Sequence, residues 1–257
     1  RDLREAMYRG WVTRASDQGK DSKWDNSENI EKVLALRHEA ANLIGFKSYA
    51  EYSLATKMAD TPEQVLGFLR ELSGHSRAAA EKELEELTEF AGMHLEAWDI
   101  TYWLEKYKQD KYSVSNEELR AYFPATTVKD GLFALASQLY GVELQQDENV
   151  TTWHEDVRYY NVRKSGEVIG GIYTELFASN GKRTGAWIDE CVSRQQLNGH
   201  FAFPVGYLVC NFQRPDDRGL SLLTHDDVVT LFHEFGHMLH HLLTQVDFPS
   251  VSGINGV

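Results

Sequence analysis

Residues 233 to 237 read His-Glu-Phe-Gly-His, a pair of histidines with a glutamate directly after the first. On a helix, four residues advance the chain by about 400°, so His233 and His237 point the same way, roughly 6 Å apart along the axis. Both imidazoles can then reach one zinc ion at about 2.0–2.1 Å. Glu234 is rotated by about 100°, where its carboxylate can contact a zinc-bound water without ligating the metal. The pattern predicts a zinc hydrolase, and the alternative is a buried polar cluster satisfied by hydrogen bonds.

A zinc site of this kind needs a third protein ligand. His240 shares the face of His233 but lies about 10 Å along the axis from it, which is too far for the same ion. The metzincin pattern requires a histidine six residues after His237, and Leu243 stands there, so that class is excluded. Glu190 is the remaining carboxylate candidate within the chain, and no feature of the sequence positions it.

The helix that carries the motif has a clear start signal. Thr224 can cap it and Asp227 falls at the third helical position, as in a capping box. From there to Leu243 the residues are apolar on nearly every face, which predicts a helix that is buried on all sides. Inside such a helix the polar side chains of the motif are costly unless they are paired or bound to a metal.

The elements before residue 145 are predicted to be helical. Apolar residues recur at helical spacing from Asn29 to Ile44, and Gly45 is a natural stop. Thr61-Pro62-Glu63-Gln64 is a strong start signal for a long helix that should run to about residue 91, before Gly92. Further helices are predicted at residues 99–110, 115–122 and 128–140.

After residue 145 the pattern changes to that of β-strands. Strands are predicted at residues 156–163 and 167–177, joined by a turn at Lys164-Ser165-Gly166, and near residues 185–191 and 204–212. Gly170-Gly171 indicates a bulge or a close backbone approach. The chain is therefore predicted to be mostly α with a small β-sheet, an α+β fold in which the change near residue 145 is a change of layer within one unit.

Composition excludes several classes of protein. The chain has 257 residues, 42% hydrophobic and 25% charged, as in an ordinary globular protein. Its net charge of -13 argues against a nucleic-acid partner and tolerates basic or neutral peptides better. No apolar run is long enough to cross a membrane. Cys191 and Cys210 form no Cys-x-x-Cys pair, which predicts reduced thiols in a cytoplasmic protein.

Several segments beyond the motif, in their order along the chain, carry a resemblance to a known family: YRGWVTRASDQ, KWDNSENIEKVLALRHEAANLIGF, ATKMADTPEQVLGFL, GAWIDECV, YLVCNFQRP, THDDVVTLFHEFGHMLHHLLT and VSGINGV. Together they resemble the thimet oligopeptidase family of zinc metallopeptidases, most closely its bacterial oligopeptidase A branch. The resemblance covers essentially the whole chain.

The resemblance implies a zincin-like catalytic core and a neurolysin-like helical body, with one zinc ion per complete enzyme. In that family the third ligand is a glutamate about two dozen residues after the second histidine, which would lie beyond Val257. The chain would then be the central part of a longer enzyme, either a fragment or a nicked chain, and inactive alone. Its partner would be the remainder of its own polypeptide.

The activity that the resemblance implies is hydrolysis of short oligopeptides, with zinc bound by His233 and His237 and Glu234 as the general base. Residues 1–145 would form a channel wall, and residues 146–257 an incomplete zincin-like catalytic region. Gly185 and Ala186 would let a peptide backbone approach as an added strand, and their alternative role is to pack the sheet. The alternative function is that of an inactive truncated fragment that only binds peptides or serves as a scaffold piece.

Overall fold

The computed structural model describes residues 1–19, 21–113 and 115–256. The chain is about half helical with a small mixed sheet, which confirms the predicted α+β class. It divides into two compact units, Arg1–Ser113 and Val114–Val257. The separate division at residue 145, between a channel wall and a catalytic region, stays a prediction.

The helices among the described residues are α1 Asp2–Val12, α2 Ser27–Leu43, α3 Tyr49–Leu54, α4 Pro62–Ala91, α5 Ala97–Tyr112, α6 Asn116–Arg120, α7 Ala125–Tyr140 and α8 His225–Leu242. Short 3-10 turns cover Ser22–Trp24, Pro249–Val251 and Gly253–Gly256. Helix α4 begins and ends where the sequence predicts. Thr61 accepts a hydrogen bond from the backbone N–H of Gln64, and Gly92 closes the helix in the left-handed conformation.

The strands are β1 Val142–Gln146, β2 Arg158–Lys164, β3 Glu167–Phe177, β4 Trp187–Val192, β5 Gln195–Leu197, β6 His200–Ala202 and β7 Val205–Phe212. The main sheet has the order β1-β2-β3-β7-β4, and β5 and β6 form a separate hairpin. The β3–β7 pair is parallel, and the other pairs are antiparallel. Strand β4 therefore lies at an edge of the sheet. The sequence did not predict β1, β5 or β6.

The first unit contains a buried ion-pair cluster between α1 and α5. The carboxylate of Asp99 lies 2.7 Å from the guanidinium of Arg1 and 3.2 Å from that of Arg4, and the Asp99 side chain has no exposed surface. The Arg4 guanidinium also lies 4.1 Å from the centroid of the Tyr102 ring. These contacts fix the start of α5 against α1, because a buried carboxylate is tolerated only when it is paired.

The core of the second unit lies between the sheet and the helices α7 and α8. Apolar side chains from all three layers form one buried cluster, which includes Leu132, Ile172, Leu208, Phe235 and Met238. Close packing of this kind makes the position of α8 depend on the sheet beneath it.

Gly170-Gly171 in β3 combines both features that the sequence indicates. The register between β2 and β3 shifts beside Gly170, as a bulge requires. A Cβ atom on Gly170 would lie 3.0 Å from the Pro204 carbonyl oxygen, which is the close backbone approach, and one on Gly171 would lie 1.9 Å from the Tyr159 hydroxyl oxygen.

The prediction that α8 is buried on all sides is wrong for one of its faces. Leu231, Phe235, Met238 and Leu242 are buried against the core, whereas Val229 on the same helix is 54% exposed. A sheet covers only the side of a helix that faces it, and α7 contacts that same buried side through Phe133 against Phe235. The histidines of the motif lie on the uncovered face. The free-energy cost of desolvating these two side chains is therefore smaller than a fully buried helix would impose.

No helix among the described residues is long and apolar enough to span a membrane. Cys191 is exposed and Cys210 is buried, and neither forms a disulfide.

Candidate active site

Helix α8 begins with the capping box that the sequence predicts. The Thr224 hydroxyl accepts a hydrogen bond from the Asp227 N–H at 3.1 Å, and the Asp227 carboxylate accepts one from the Thr224 N–H at 2.8 Å. This reciprocal pair fixes the first turn, and the buried stripe of the helix fixes its rotation over the sheet. The motif residues in the following turns therefore have a defined direction.

His233 and His237 converge on each other, as their spacing predicts. Their Nε2 atoms are 3.1 Å apart, and their ring planes are nearly perpendicular, with centroids 4.7 Å apart. Two nitrogen ligands of one tetrahedral zinc ion, each at about 2.0–2.1 Å, lie about 3.3 Å from one another. The pair therefore has the spacing that a shared zinc ion requires, and both rings are exposed to an approaching ligand.

Glu234 lies on the side of α8 between the exposed histidines and the core, and it is half-buried. Burial, followed by the charge of Glu234, raises the pKa of the Cys210 thiol to about 12. The Glu234 carboxylate is therefore within electrostatic reach of Cys210 on β7. Helix geometry turns Glu234 by about 100° from His233, which fits its greater burial.

Within residues 1–19, 21–113 and 115–256, no group of three or more His, Cys, Asp or Glu side chains could hold a metal ion. Glu190, the carboxylate candidate from the sequence, has other partners. It accepts hydrogen bonds from the Ser193 hydroxyl and, at 2.7 Å, from the Asn255 amide. The Ser193 hydroxyl holds the pKa of Glu190 below its usual range. Glu190 therefore ties the C-terminal turn to β4 and does not complete the histidine pair.

Gly185 and Ala186 lie directly before the edge strand β4. Gly185 has a φ of +95°, a conformation that favours glycine, and Ala186 packs against the core. The Asn211 amide on β7 donates hydrogen bonds to the carbonyl oxygens of Arg183 and Gly185. The structure thus gives these residues a packing role, and whether they also contact a peptide stays a prediction.

Sequence reasoning missed His241, which lies in the last turn of α8 on its buried face. Its side chain is completely buried, and its Nε2 atom lies 3.1 Å from the Val192 carbonyl oxygen and 3.2 Å from that of Val205. The available signal was position. Residue 241 follows Met238 by three residues and so falls on the buried stripe.

The profile of peptidase family M3 matches residues 1–257, and the chain belongs to this family. The chain is 49% identical over 263 residues to Oligopeptidase A of Escherichia coli (strain K12), which covers 99% of this chain and 39% of that relative. It is 40% identical over 271 residues to the organellar oligopeptidase A, chloroplastic/mitochondrial, of Arabidopsis thaliana, and this match covers 100% of the chain and 34% of that relative. It is 34% identical over 262 residues to the dipeptidyl carboxypeptidase of Escherichia coli (strain K12), and this match covers 99% of the chain and 38% of that relative.

These similarities confirm the resemblance to the bacterial oligopeptidase A branch. The chain spans less than two fifths of the length of these relatives. The similarity is distributed over both units, because the matched segments cover essentially the whole chain.

Proposed function

We propose that this chain is part of a zinc-dependent endopeptidase that hydrolyses short oligopeptides. The observation that carries the proposal is the 3.1 Å separation of the Nε2 atoms of His233 and His237 on the exposed face of α8. Membership of a peptidase family and the names of the oligopeptidase relatives support the reaction class. A cytoplasmic location stays a prediction from the composition.

His233 and His237 would hold the metal through Nε2, and further ligands would come from outside the described residues. When bound, zinc would supply Lewis acidity toward the scissile carbonyl and would lower the pKa of the attacking water. The two free Nδ1 atoms would need acceptors that fix each ring, since metal-bound histidines usually donate their second N–H. The metal site belongs to a zincin-like core in this proposal.

Glu234 would act as the general base. Its carboxylate would take a proton from the attacking water and later deliver it to the leaving amide nitrogen, so one group serves both half-reactions. Its position on the helix suits this role, because it is adjacent to His233 in sequence but turned away from the shared direction of the two histidines.

The peptide would bind as an extended strand along the edge of the sheet near Gly185 and Ala186. Strand β4 pairs only with β7 among the described strands, which leaves its outer edge for main-chain hydrogen bonds. In this proposal residues 1–145 form the channel wall and residues 146–257 the catalytic region. A wall of that kind would exclude folded domains.

The test uses the enzyme at the full length of its family. Glu234→Gln should keep its zinc and lose turnover by roughly 10² or more, because the metal site stays while the base is neutral. His237→Ala should lose the zinc itself. Zinc content by atomic spectroscopy and hydrolysis of a short peptide measure the two effects, with the exposed His200→Ala as the matched control.

Three outcomes would contradict the proposal. Loss of zinc in Glu234→Gln would make this residue a ligand rather than a base. Retention of zinc in His237→Ala would remove the metal site from α8. A wild-type enzyme that binds peptides and never cleaves them would favour the alternative of a peptide-binding piece.

Substrate size gives a second test. The same scissile sequence is offered in a peptide of 5 to 20 residues, a span estimated from the reach of an extended chain at about 3.3 Å per residue, and within a long denatured protein. The short peptide should be cleaved and the long chain left intact. Comparable rates on both would exclude a narrow channel.

A further inference from the structure

His241 lies one helical turn after His237 on α8, yet its environment is the opposite of that of the motif. His233 and His237 are exposed, whereas the His241 side chain has no exposed surface. A buried imidazole is costly unless its nitrogens are used, so its contacts indicate what it does.

The Nε2 atom of His241 contacts two carbonyl oxygens, that of Val192 at 3.1 Å and that of Val205 at 3.2 Å. Carbonyl oxygens only accept hydrogen bonds, so Nε2 carries the proton and shares it between them. Val192 and Val205 face each other across strands β4 and β7, and the register shifts just before this pair, between Glu190 and Val192. The His241 ring therefore bonds to both strands at the irregular end of the β4–β7 pair.

The opposite side of the ring is held by the turn Gly253–Gly256. A Cβ atom on Gly253 would lie 2.8 Å from Nδ1 of His241 and 3.0 Å from its Cα, and Gly253 has a φ of +57°. Among the described residues, Nδ1 has no hydrogen-bond partner. The ring is thus completely buried, with one donor aimed at the sheet and Gly253 close to its other nitrogen.

Resting on the proposed function, we propose that His241 is a positioning residue that sets the place of α8 relative to edge strand β4. Helix α8 carries His233, Glu234 and His237, and β4 is the edge where a peptide would add. A single N–H joins the helix to both β4 and β7. Because a displacement of about 1 Å can lower turnover by about 10²-fold, this link would align the general base with the scissile bond.

The test compares three substitutions in the enzyme at family length. The carboxamide nitrogen of Gln reaches about as far as Nε2, whereas that of Asn reaches only about as far as Nδ1. His241→Gln should keep kcat within about 3-fold of wild type, and His241→Asn and His241→Leu should lower it about 10-fold or more. KM and the zinc content should change little, since the edge of β4 and the two ligands remain. The exposed His200→Gln serves as the matched control and should change nothing.

A second variant displaces the ring without altering the histidine. Gly253→Ala puts a methyl group against Nδ1 and Cα of His241, so it should lower kcat in the same way, again with zinc retained. This variant also decides the question if His241→Leu fails to fold.

The outcomes separate this inference from the proposed function. A wild-type enzyme without zinc-dependent hydrolysis would remove the proposed function, and the inference with it. Wild-type hydrolysis together with an unchanged kcat per bound zinc in His241→Asn and Gly253→Ala would overturn the inference alone. Equal loss in His241→Gln and His241→Asn would also overturn it, because the donor at the Nε2 position would then be irrelevant.

Discussion

The two units differ in how much of their helical surface is buried and in which contacts hold the helices together. In the first unit, Ala41, Leu87 and Asp99 are the buried residues among those whose burial is described, and Asp99 is held by arginines. In the second unit, one apolar cluster joins the sheet, α7 and α8. Large apolar side chains on α1 remain exposed, with Leu3 at 73% and Trp11 at 71%.

The difference shows that helical sequence patterns do not by themselves provide a core. A stripe of apolar residues specifies which face of a helix must be covered, but another element has to cover it. Exposed apolar surface of this extent normally marks an interface. Since the relatives are more than twice as long as the chain, we expect further polypeptide to cover this surface in a protein of family length.

The largest effect should come from matched phenylalanines in the two units. Phe235 on α8 is 1% exposed and Phe68 on α4 is 63% exposed. In this 257-residue chain, Phe235→Ala should cost about 3–5 kcal/mol of unfolding free energy, and Phe68→Ala within about 0.5 kcal/mol. Urea unfolding measures both. Similar costs would contradict the contrast between the units. A cost for Phe68→Ala that rises at family length would show that further polypeptide covers α4.

The accuracy of the sequence predictions follows the strength of local signals. Helix α4 has a capping threonine, a proline at its first position and a glycine after its last, and its bounds were predicted from these. Strand β3 has β-forming residues between a Ser165-Gly166 turn and a loop, and residues 167–177 were predicted correctly. Strand β1, Val142–Gln146, was missed because its sequence VELQQ is short and polar and has its pairing partner elsewhere in the chain.

The candidate site was predictable where it depends on one helix and not where it depends on several elements. The convergence of His233 and His237 follows from helix geometry alone. The exposed face of α8 and the contact of His241 with Val192 and Val205 depend on how the sheet ends beneath the helix. No spacing within α8 encodes that tertiary arrangement.

Alanine substitutions of one glycine in each unit should change the unfolding free energy with opposite sign. A Cβ on Gly171 in β3 would lie 1.9 Å from the Tyr159 hydroxyl oxygen, whereas one on Gly74 in α4 would meet nothing within 4 Å. Gly171→Ala should cost about 1–3 kcal/mol through overpacking. Gly74→Ala should stabilise by about 0.5–1 kcal/mol, because alanine loses less backbone entropy in a helix. Thermal unfolding measures both, and a destabilising Gly74→Ala would show that α4 is packed more tightly than the contacts indicate.

The smallest effect concerns the alkaline stability of the second unit. Burial, and then the charge of Glu234, raises the pKa of Cys210 to about 12. In the unfolded chain a thiol ionises near pH 8.5, so unfolding releases a proton between about pH 8.5 and 12. The stability that the neutral thiol contributes is present below this window and is lost as the pH rises through it, by at most about 1.4 kcal/mol per pH unit. Urea unfolding at pH 7, 9 and 10 should show a shallower decline for Cys210→Ala than for wild type. If the unfolding free energy of both proteins declined equally with pH, the thiol of Cys210 would ionise as readily in the folded unit as in water. The core next to Glu234 would then be open to solvent, as the helices of the first unit are.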